Sequence, residues 1–178
     1  MHVERLPLVG AVALTLPAFG DDRGFFKETY SSGRYREAGI ADEFVQDNVS
    51  FSRRNVLRGL HGARGMSKLV CVLAGEAYDV MVDVRPGSVT QGRWYGETLR
   101  CGDHRQLYVP EGCLHGFLAL SDDVLFLYKQ SALYDPRAEF GVRFDDPDLG
   151  VEWPIAATGA ILSPKDAANP SARSLGLC

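Results

Sequence analysis

Residues 105–130 read RQLYVPEGCLHGFLALSDDVLFLYKQ, and this stretch decides the fold class. It holds three short apolar runs, 105–109, 116–120 and 124–130, with the turn-forming segments Pro-Glu-Gly and Ser-Asp-Asp between them. Many short strands at such spacing are typical of an antiparallel sandwich or barrel. We therefore predict a mainly β protein.

The same pattern continues upstream of this stretch. Further strands are predicted over 68–74, 77–84 and 92–100, and an Arg-Pro-Gly-Ser turn at 85–88 separates the last two. No repeat, linker or low-complexity tract interrupts the sequence. Residues 1–178 are therefore predicted to form a single domain.

Two segments are predicted to be helical. Residues 30–40 favour a helix that Ser31 or Ser32 can cap and Gly39 can end. A second, short helix is predicted to begin at Ser163, where the segment Ser-Pro-Lys-Asp also fits a capping box with an acid at its third helical position.

The bulk properties exclude several classes of function. The formal net charge of −4 and the lack of a basic run argue against general nucleic-acid binding. The apolar segment 6–19 is broken by Pro7 and Pro17 and is too short to span a bilayer, so it predicts an opening strand and no membrane partner. The four cysteines form no C-x-x-C pair, which favours reduced thiols in a cytoplasm.

Three ionisable side chains, His61, Lys68 and His115, lie inside or at the end of apolar runs. Burying such groups without partners is costly, so their presence predicts a pocket that holds a base next to cations. That is the chemistry needed to move a proton on carbon. The structural alternatives are a core histidine with satisfied hydrogen bonds at position 61 and a rim lysine at position 68.

The motif Pro110-x-Gly112-x-x-His115 resembles the second motif of the cupin jelly rolls. Most cupins bind a metal with it, together with a first motif that contains His-x-His and a glutamate. No His-x-His occurs here, and Lys68 stands where a metal site needs a ligand with a free lone pair. We expect no metal, and a metal-dependent cupin oxygenase is kept only as a rival hypothesis.

A set of short motifs, in order, resembles the dTDP-4-dehydrorhamnose 3,5-epimerase family. They are Asp22-Arg23-Gly24-Phe25-Phe26-x-Glu28, Gln46-Asp47-Asn48, Leu57-Arg58-Gly59-Leu60-His61, Lys68-Leu69-Val70, Val82-Asp83-Val84-Arg85, His115-Gly116-Phe117, Tyr128-Lys129, the segment 145–154 and the segment 162–166. The resemblance implies an antiparallel jelly-roll (cupin) barrel with a few short helices and a homodimer. It also implies cofactor-independent epimerisation at C3 and/or C5 of a nucleotide-diphosphate 4-keto-6-deoxy sugar, by default dTDP-4-dehydro-6-deoxyglucose to dTDP-4-dehydrorhamnose.

The resemblance also implies catalytic roles. His61 matches the base, Asp166 the carboxylate that supports it, and Tyr128 the acid on the opposite face of the sugar. Lys68 and His115 match residues near the C4 oxygen, where an enolate forms. The alternatives are a capping role for Asp166 and a core position for Tyr128.

The resemblance also implies a set of substrate-binding residues: Arg23, Phe26, Glu28, Gln46, Asn48, Arg58, Tyr134, Ser163 and Lys165. The two arginines suit a diphosphate, and the segment 26–28 is expected to cross to the neighbouring subunit of a dimer. Strict alternation along a strand puts Arg58 and His61 on opposite faces. A bulge at Gly59 would reconcile them.

The loop between His61 and Lys68 departs from the family pattern. Usual members have an aromatic residue and Gln after the histidine and a longer loop, whereas this chain has Gly62-Ala63 and only six intervening residues. A similar short loop occurs in members that act on GDP-linked 6-deoxy-heptoses. Two alternatives stay open: an epimerase for a GDP-linked or other NDP-linked 4-keto-6-deoxy-heptose, and a C3-only epimerase. A 3,4-ketoisomerase and a non-catalytic sugar-nucleotide binding module are less favoured.

Overall fold

The structure, a computed structural model, describes residues 1–177 and consists mainly of short strands. The strands are β1 (His2–Arg5), β2 (Val12–Thr15), β3 (Ala18–Asp21), β4 (Gly24–Lys27), β5 (Gln46–Ser52), β6 (Leu57–Ala63), β7 (Lys68–Ala74), β8 (Glu76–Asp83), β9 (Trp94–Arg100), β10 (Arg105–Val109), β11 (Cys113–Ala119), β12 (Val124–Gln130) and β13 (Glu139–Gly141). The helices are α1 (Ser32–Glu37) and α2 (Pro164–Ala167). Cys71, Cys101 and Cys113 are free thiols, and the fourth cysteine, Cys178, lies outside the described residues.

The strands form two large antiparallel sheets and a separate hairpin. One sheet has the order β1-β2-β10-β7-β12-β5, the other has the order β13-β6-β11-β8-β9, and β3 pairs with β4 alone. The prediction of a mainly β, antiparallel fold of the jelly-roll kind is confirmed.

The main core lies between the two sheets. Val70, Leu107 and Phe126 from the six-stranded sheet pack against Met81 and Phe117 from the five-stranded sheet. The rings of Phe117 and Phe126 stack with their centroids 4.2 Å apart. Each large side chain buried in this way contributes about 1.5–3 kcal/mol to folding, so the facing sheets hold each other rigidly beneath any site on their inner surface.

Two further segments cover the outer faces of the sheets. Helix α1 places Tyr35 against Leu14 and Leu69 on the outside of the six-stranded sheet. The C-terminal segment covers the other sheet, where Leu149 packs with Leu60. This covering chain brings α2 back to β6, which matters for the site described below.

The strand bounds follow the sequence pattern closely, and the differences have local causes. Strands β7, β10 and β12 have the predicted bounds. The predicted helix over 30–40 is shorter in the structure, and Ser31 precedes it without a side-chain capping bond. The prediction of one opening strand over 6–19 is wrong: the main chain turns between β1 and β2, where Leu6 N donates to Ala11 O. Pro7 lies in this turn and has no N–H to give to a ladder.

Neither of the two α-helices in the described part of the chain has the length and apolar character needed to cross a membrane.

Candidate active site

A cavity of about 470 Å³ opens on the inner surface formed by β5, β6, β7 and β12, next to the segment that leads into α2. This volume is in the range of sites for small ligands. The sequence-predicted residues that line it are His61, Lys68, Tyr128, Asp166, Asn48, Arg58, Tyr134, Ser163 and Lys165. Residues far apart in the sequence therefore meet at one concave surface.

The imidazole of His61 is paired with the carboxylate of Asp166. His61 Nε2 lies 2.6 Å from Asp166 Oδ1, and the Asp166 side chain is only 5% exposed. Burial raises the pKa of this carboxyl, but hydrogen bonds from His61 and Ser163 outweigh burial and hold the pKa below its usual value. An ionised carboxylate takes the Nε2 proton as a hydrogen bond, which leaves Nδ1 with a free lone pair.

Asp166 has a structural role at the same time. Its backbone N–H donates to Ser163 Oγ at 3.1 Å, so Ser163 caps α2 and fixes the backbone from which the carboxylate projects. The capping and dyad hypotheses are thus compatible, because one uses the backbone of Asp166 and the other uses its side chain.

Strand β6 contains the irregularity that allows Arg58 and His61 to lie on the same face. The register between β6 and β11 shifts near Gly59, which has φ +134°. A Cβ at this position would lie 2.7 Å from the Cα of Gly116, so the strands approach too closely there for any other residue. As a result Arg58 and His61 both line the cavity, as the predicted bulge requires.

Lys68 opens β7 on the same cavity wall. Its Nζ lies 3.5 Å from the backbone oxygen of His61. Burial lowers the pKa of its ammonium to about 8, although the carboxylates of Glu139 and Asp79 oppose the shift. The group is a cation at neutral pH and loses its proton far more readily than an exposed lysine. It carries no lone pair for a metal, and within residues 1–177 no group of three His, Cys, Asp or Glu side chains is arranged to hold one.

His115 lies behind the cavity wall and does not line it. The residue is 3% exposed, and its Nε2 lies 2.8 Å from Asp79 Oδ2. Burial raises the pKa of Asp79, and the interaction with His115 offsets part of the rise. Sequence reasoning missed Asp79, although an acid inside the apolar run of β8 is the kind of residue that could have revealed it. The predicted contact of His115 with the C4 oxygen stays a prediction, and its ring adjoins that of Tyr128, with centroids 6.2 Å apart.

Tyr128 projects from β12 into the cavity. Its hydroxyl lies 3.1 Å from Ser50 Oγ. Burial raises the pKa of this phenol to about 12, despite the opposing effects of Ser50 and Arg58. The side chain is therefore protonated at neutral pH and can act as an acid.

Glu139 joins two of the predicted residues at the mouth of the cavity. Its Oε2 accepts hydrogen bonds from Lys165 Nζ at 2.5 Å and from Tyr134 Oη at 3.1 Å. Glu139 lines the cavity because β13 pairs with β6, where it faces Ala63. Nothing in the local sequence distinguishes this glutamate from a surface residue, so the sequence analysis missed it.

Other predicted residues lie away from the cavity in a single copy of the chain. Arg23 pairs with Asp21, and Phe26 on β4 is 73% exposed. Glu28 follows that strand and pairs with Arg34.

Gln46 is placed differently, beside the cavity wall but not lining it. Its Nε2 donates to Asn48 Oδ1 at 3.1 Å, and its Oε1 accepts from Tyr134 N at 2.9 Å. Gln46 thus supports two lining residues from the side of β5.

The shortened loop over 62–67 is tightly held. The ring of Phe140 occupies the space beside Gly62, where a Cβ would lie 2.3 Å from its Cζ. The backbone N–H of Gly65 donates to Glu111 Oε1 at 2.7 Å, and Ser67 Oγ donates to Asp42 Oδ2 at 2.6 Å. This cavity edge is therefore a fixed wall and not a free loop.

Comparisons with known proteins show similarity over almost the whole chain. The family model described as dTDP-4-dehydrorhamnose 3,5-epimerase matches residues 5–174. A dTDP-4-dehydrorhamnose 3,5-epimerase of Methanothermobacter thermautotrophicus is 44% identical over 162 residues, which is 89% of this chain and 88% of the relative.

Two solved structures are also similar. The dTDP-6-deoxy-D-glucose-3,5-epimerase of Legionella pneumophila, in complex with dTDP-4-keto-L-rhamnose, is 42% identical with a TM-score of 0.92, covering 97% of this chain and 93% of its own. ChmJ, a 3'-monoepimerase of Streptomyces bikiniensis in complex with dTDP-quinovose, is 34% identical with a TM-score of 0.88. The match covers 97% of this chain and 90% of the ChmJ chain.

Proposed function

Because the chain belongs to the dTDP-4-dehydrorhamnose 3,5-epimerase family, we propose that it converts dTDP-4-dehydro-6-deoxyglucose into dTDP-4-dehydrorhamnose by inverting C3 and C5. It is an isomerase that acts on a nucleotide-linked sugar. The observation that carries the mechanism is the 2.6 Å pair of His61 and Asp166 on the wall of a cavity that Lys68 and Tyr128 also line.

The first half of the reaction is proton abstraction. C3 and C5 both flank the C4 ketone, so loss of either proton gives an enolate. His61 Nδ1 takes the proton, and the electron pair of the C–H bond moves into a new C=C bond to C4 as the C4 oxygen becomes negative. Asp166 stabilises the imidazolium, and the ammonium of Lys68 stabilises the enolate oxygen. The ketone supplies the acidity, so no cofactor takes part.

The second half is reprotonation from the other face. Tyr128 gives its phenolic proton to the same carbon while the enolate returns to the ketone, and the configuration at that carbon is inverted. Solvent then returns a proton to the phenolate and removes one from His61, so protons balance over the cycle. His115, held by Asp79 behind the wall, supports Tyr128 and the charge near C4.

The nucleotide part is proposed to lie toward Arg58 and Lys165. Arg58 is fixed because its Nε donates to Ser52 Oγ and its Nη2 to Phe51 O, both at 3.0 Å. A guanidinium held in this way suits a diphosphate. Asn48, Tyr134 and Ser163 line the same cavity and offer hydrogen bonds to the rest of the substrate. Gln46 acts through the first two of these.

A second copy of the chain is proposed to complete the site. Arg23, Phe26 and Glu28 are assigned to substrate binding, yet they lie outside the cavity of their own copy. The exposed Phe26 and its register partner Phe19 form an apolar surface on the β3–β4 hairpin that suits burial against a partner. We therefore propose that two single-domain chains, residues 1–178, form a homodimer in which each hairpin reaches the site of the other copy. We also propose that this dimer works in the cytoplasm on precursors of polysaccharides.

The test is incubation with dTDP-4-keto-6-deoxyglucose in deuterated water, followed by NMR. We expect deuterium at C3 and C5 and the rhamno product. His61→Ala should abolish both, whereas His2→Ala, which changes an exposed histidine on β1, should leave them unchanged. Near-normal exchange in His61→Ala would contradict the mechanism.

The shortened loop is the observation that favours a second candidate, an epimerase for a GDP-linked 4-keto-6-deoxy-heptose. Running the same incubation with that substrate compares the two nucleotides directly. The spectrum also reports which carbons exchange, and so separates the double epimerase from a C3-only enzyme. A 3,4-ketoisomerase would instead give a ketone at C3, and a silent binding module would give no exchange.

A further inference from the structure

Gln130 ends β12 and lines the cavity, but neither the mechanism nor the family resemblance uses it. Its amide oxygen, Oε1, is buried and has no hydrogen-bond partner among residues 1–177. Buried polar atoms in native proteins almost always have a partner, so an unsatisfied one in a ligand cavity calls for an explanation.

The strand register places this amide beside the reacting groups. Gln130 is the cross-strand partner of Lys68 on β7 and of Gln46 on β5. Tyr128 lies two residues earlier on the same strand and therefore on the same face. The amide of Gln130 thus lies across from Lys68, the cation proposed to stabilise the enolate, and next to Tyr128, the proposed acid.

The neighbouring amide of Gln46 is already used within the protein. Gln46 gives its N–H to Asn48 and receives the N–H of Tyr134, so both of its ends are occupied. Gln130 differs because its amide oxygen has no such partner in the same region of the site. An amide oxygen that is left unsatisfied beside a satisfied amide is suited to a ligand.

We propose that Gln130 is a specificity-determining residue whose amide hydrogen-bonds a hydroxyl of the substrate's sugar. The unsatisfied atom is an amide oxygen, so it needs a partner that donates a hydrogen bond. A hydroxyl can donate one. A ketone only accepts and a methyl group does neither, which leaves the hydroxyls at C2 and C3 of a 4-keto-6-deoxyhexose. The proposal rests on the proposed function, because it places the sugar in this cavity.

The test measures binding without turnover. Calorimetric titrations measure the affinity for dTDP and for dTDP-6-deoxyglucose, a non-reacting analogue. The difference between the two affinities is the affinity that the sugar adds. In Gln130→Met, which keeps the length of the side chain but removes the amide, we expect the added affinity to fall about tenfold. The dissociation constant of dTDP alone should stay within about twofold, which also shows that the variant is folded.

Deoxy analogues identify the hydroxyl. Removing the contacted hydroxyl, at C2 or C3, should weaken binding about tenfold in the wild type and have little effect in Gln130→Met, because the two changes remove one interaction. Gln91→Met makes the same substitution on an exposed turn and should behave as the wild type.

The outcomes separate the two proposals. Any of three results would overturn the role of Gln130. In the first, Gln130→Met leaves the sugar's contribution to affinity unchanged; in the second, it weakens the binding of dTDP alone by the same factor. In the third, the losses from Gln130→Met and from removing the hydroxyl are additive for both the C2 and the C3 analogue. If the wild type binds dTDP-6-deoxyglucose but introduces no deuterium into dTDP-4-keto-6-deoxyglucose, the proposed function is overturned. The titrations still decide the role of Gln130 in that case.

Discussion

His115 on β11 is the direct register partner of His61 on β6, and each imidazole is hydrogen-bonded through Nε2 to a different carboxylate. His61 pairs with Asp166 at the cavity, whereas His115 pairs with Asp79 inside the protein. Two similar pairs thus stand side by side with different access to a substrate. The first is suited to accept a proton, and the second to hold the wall in place.

Replacing the carboxylate that orients His61 should disable the base. In Asp166→Asn the amide can donate to His61 Nε2, which places the imidazole proton on Nδ1 and removes the lone pair that accepts the substrate proton. We expect kcat to fall about 10²- to 10⁴-fold with the fold intact. Asp148→Asn, which affects a surface ion pair with Arg173, is the matched control for steady-state kinetics. Equal activity in the two variants would rule out the dyad.

The pKa of Lys68, about 8, predicts opposite effects of alkaline pH on activity and on stability. Activity should decline above pH 8, because the ammonium that stabilises the enolate is lost. Stability should gain from this group between pH 8 and the ordinary lysine value of 10.5, since the unfolded chain binds the proton more tightly than the folded one there.

The stability effect is measured as a difference between wild type and Lys68→Met, because other groups also titrate in this range. Denaturant unfolding at several pH values should show the wild type gaining relative to the variant from pH 8 to 10.5. A constant difference across that range, together with a flat activity profile, would show that Lys68 is not buried as a shifted cation.

Removing the phenolic acid should separate exchange from inversion. In Tyr128→Phe the base can still remove and return a proton on its own face, so solvent exchange should persist. Net epimerisation should fall about 10²- to 10⁴-fold, because no acid acts on the opposite face. NMR in deuterated water measures both quantities in one experiment. Tyr30→Phe changes a tyrosine that packs near α1 and serves as the control. Parallel loss of exchange and inversion in Tyr128→Phe would assign the residue to binding instead.

Mixing two inactive variants should restore activity if the sites are shared between subunits. His61→Ala lacks the base, and Phe26→Ala lacks the proposed contact from the β3–β4 hairpin. A heterodimer of the two contains one site with both groups intact, so an equal mixture after subunit exchange should reach about a quarter of the wild-type activity. Each variant alone provides the baseline. A mixture no more active than the sum of its parts would place each complete site in one chain.

The buried pair of His115 and Asp79 should be important for stability. Asp79 is fully buried, so Asp79→Ala leaves an imidazole without its partner in the interior. We expect a loss of about 3 kcal/mol in the free energy of unfolding, measured with denaturant. Asp122→Ala removes an exposed carboxylate from a turn and should change stability by no more than about 0.5 kcal/mol. Equal effects would show that the pair is not needed to hold the wall.

The strands could be predicted because the side-chain pattern along each of them is local. Lys68–Ala74 and Val124–Gln130 are apolar runs bounded by turn residues, and they form strands with those bounds. The segment 6–19 was harder, since its apolar character hides a turn at Pro7 that divides it. Composition indicates burial there but does not indicate where the chain reverses.

The site was predictable only as a set of residue types. His61, Lys68 and His115 stood out because ionisable groups are unusual in apolar strands, whereas Tyr128 was indicated only by the family resemblance. Glu139 did not stand out, because an acid in a polar stretch carries no sign that a strand will place it at a cavity. Gln130 likewise is distinguished only by its amide oxygen, which has no hydrogen-bond partner within residues 1–177.

By itself the sequence determined the strand pattern, the kinds of chemistry available and the motifs that identify the family. Only the tertiary structure decided which groups act together. His61 and Asp166 are 105 residues apart, and they meet because the C-terminal segment packs over the five-stranded sheet and returns α2 to β6. The same packing gives one histidine access to the cavity and buries the other. The physical reason is that access and pairing depend on distances across the core, which local alternation does not encode.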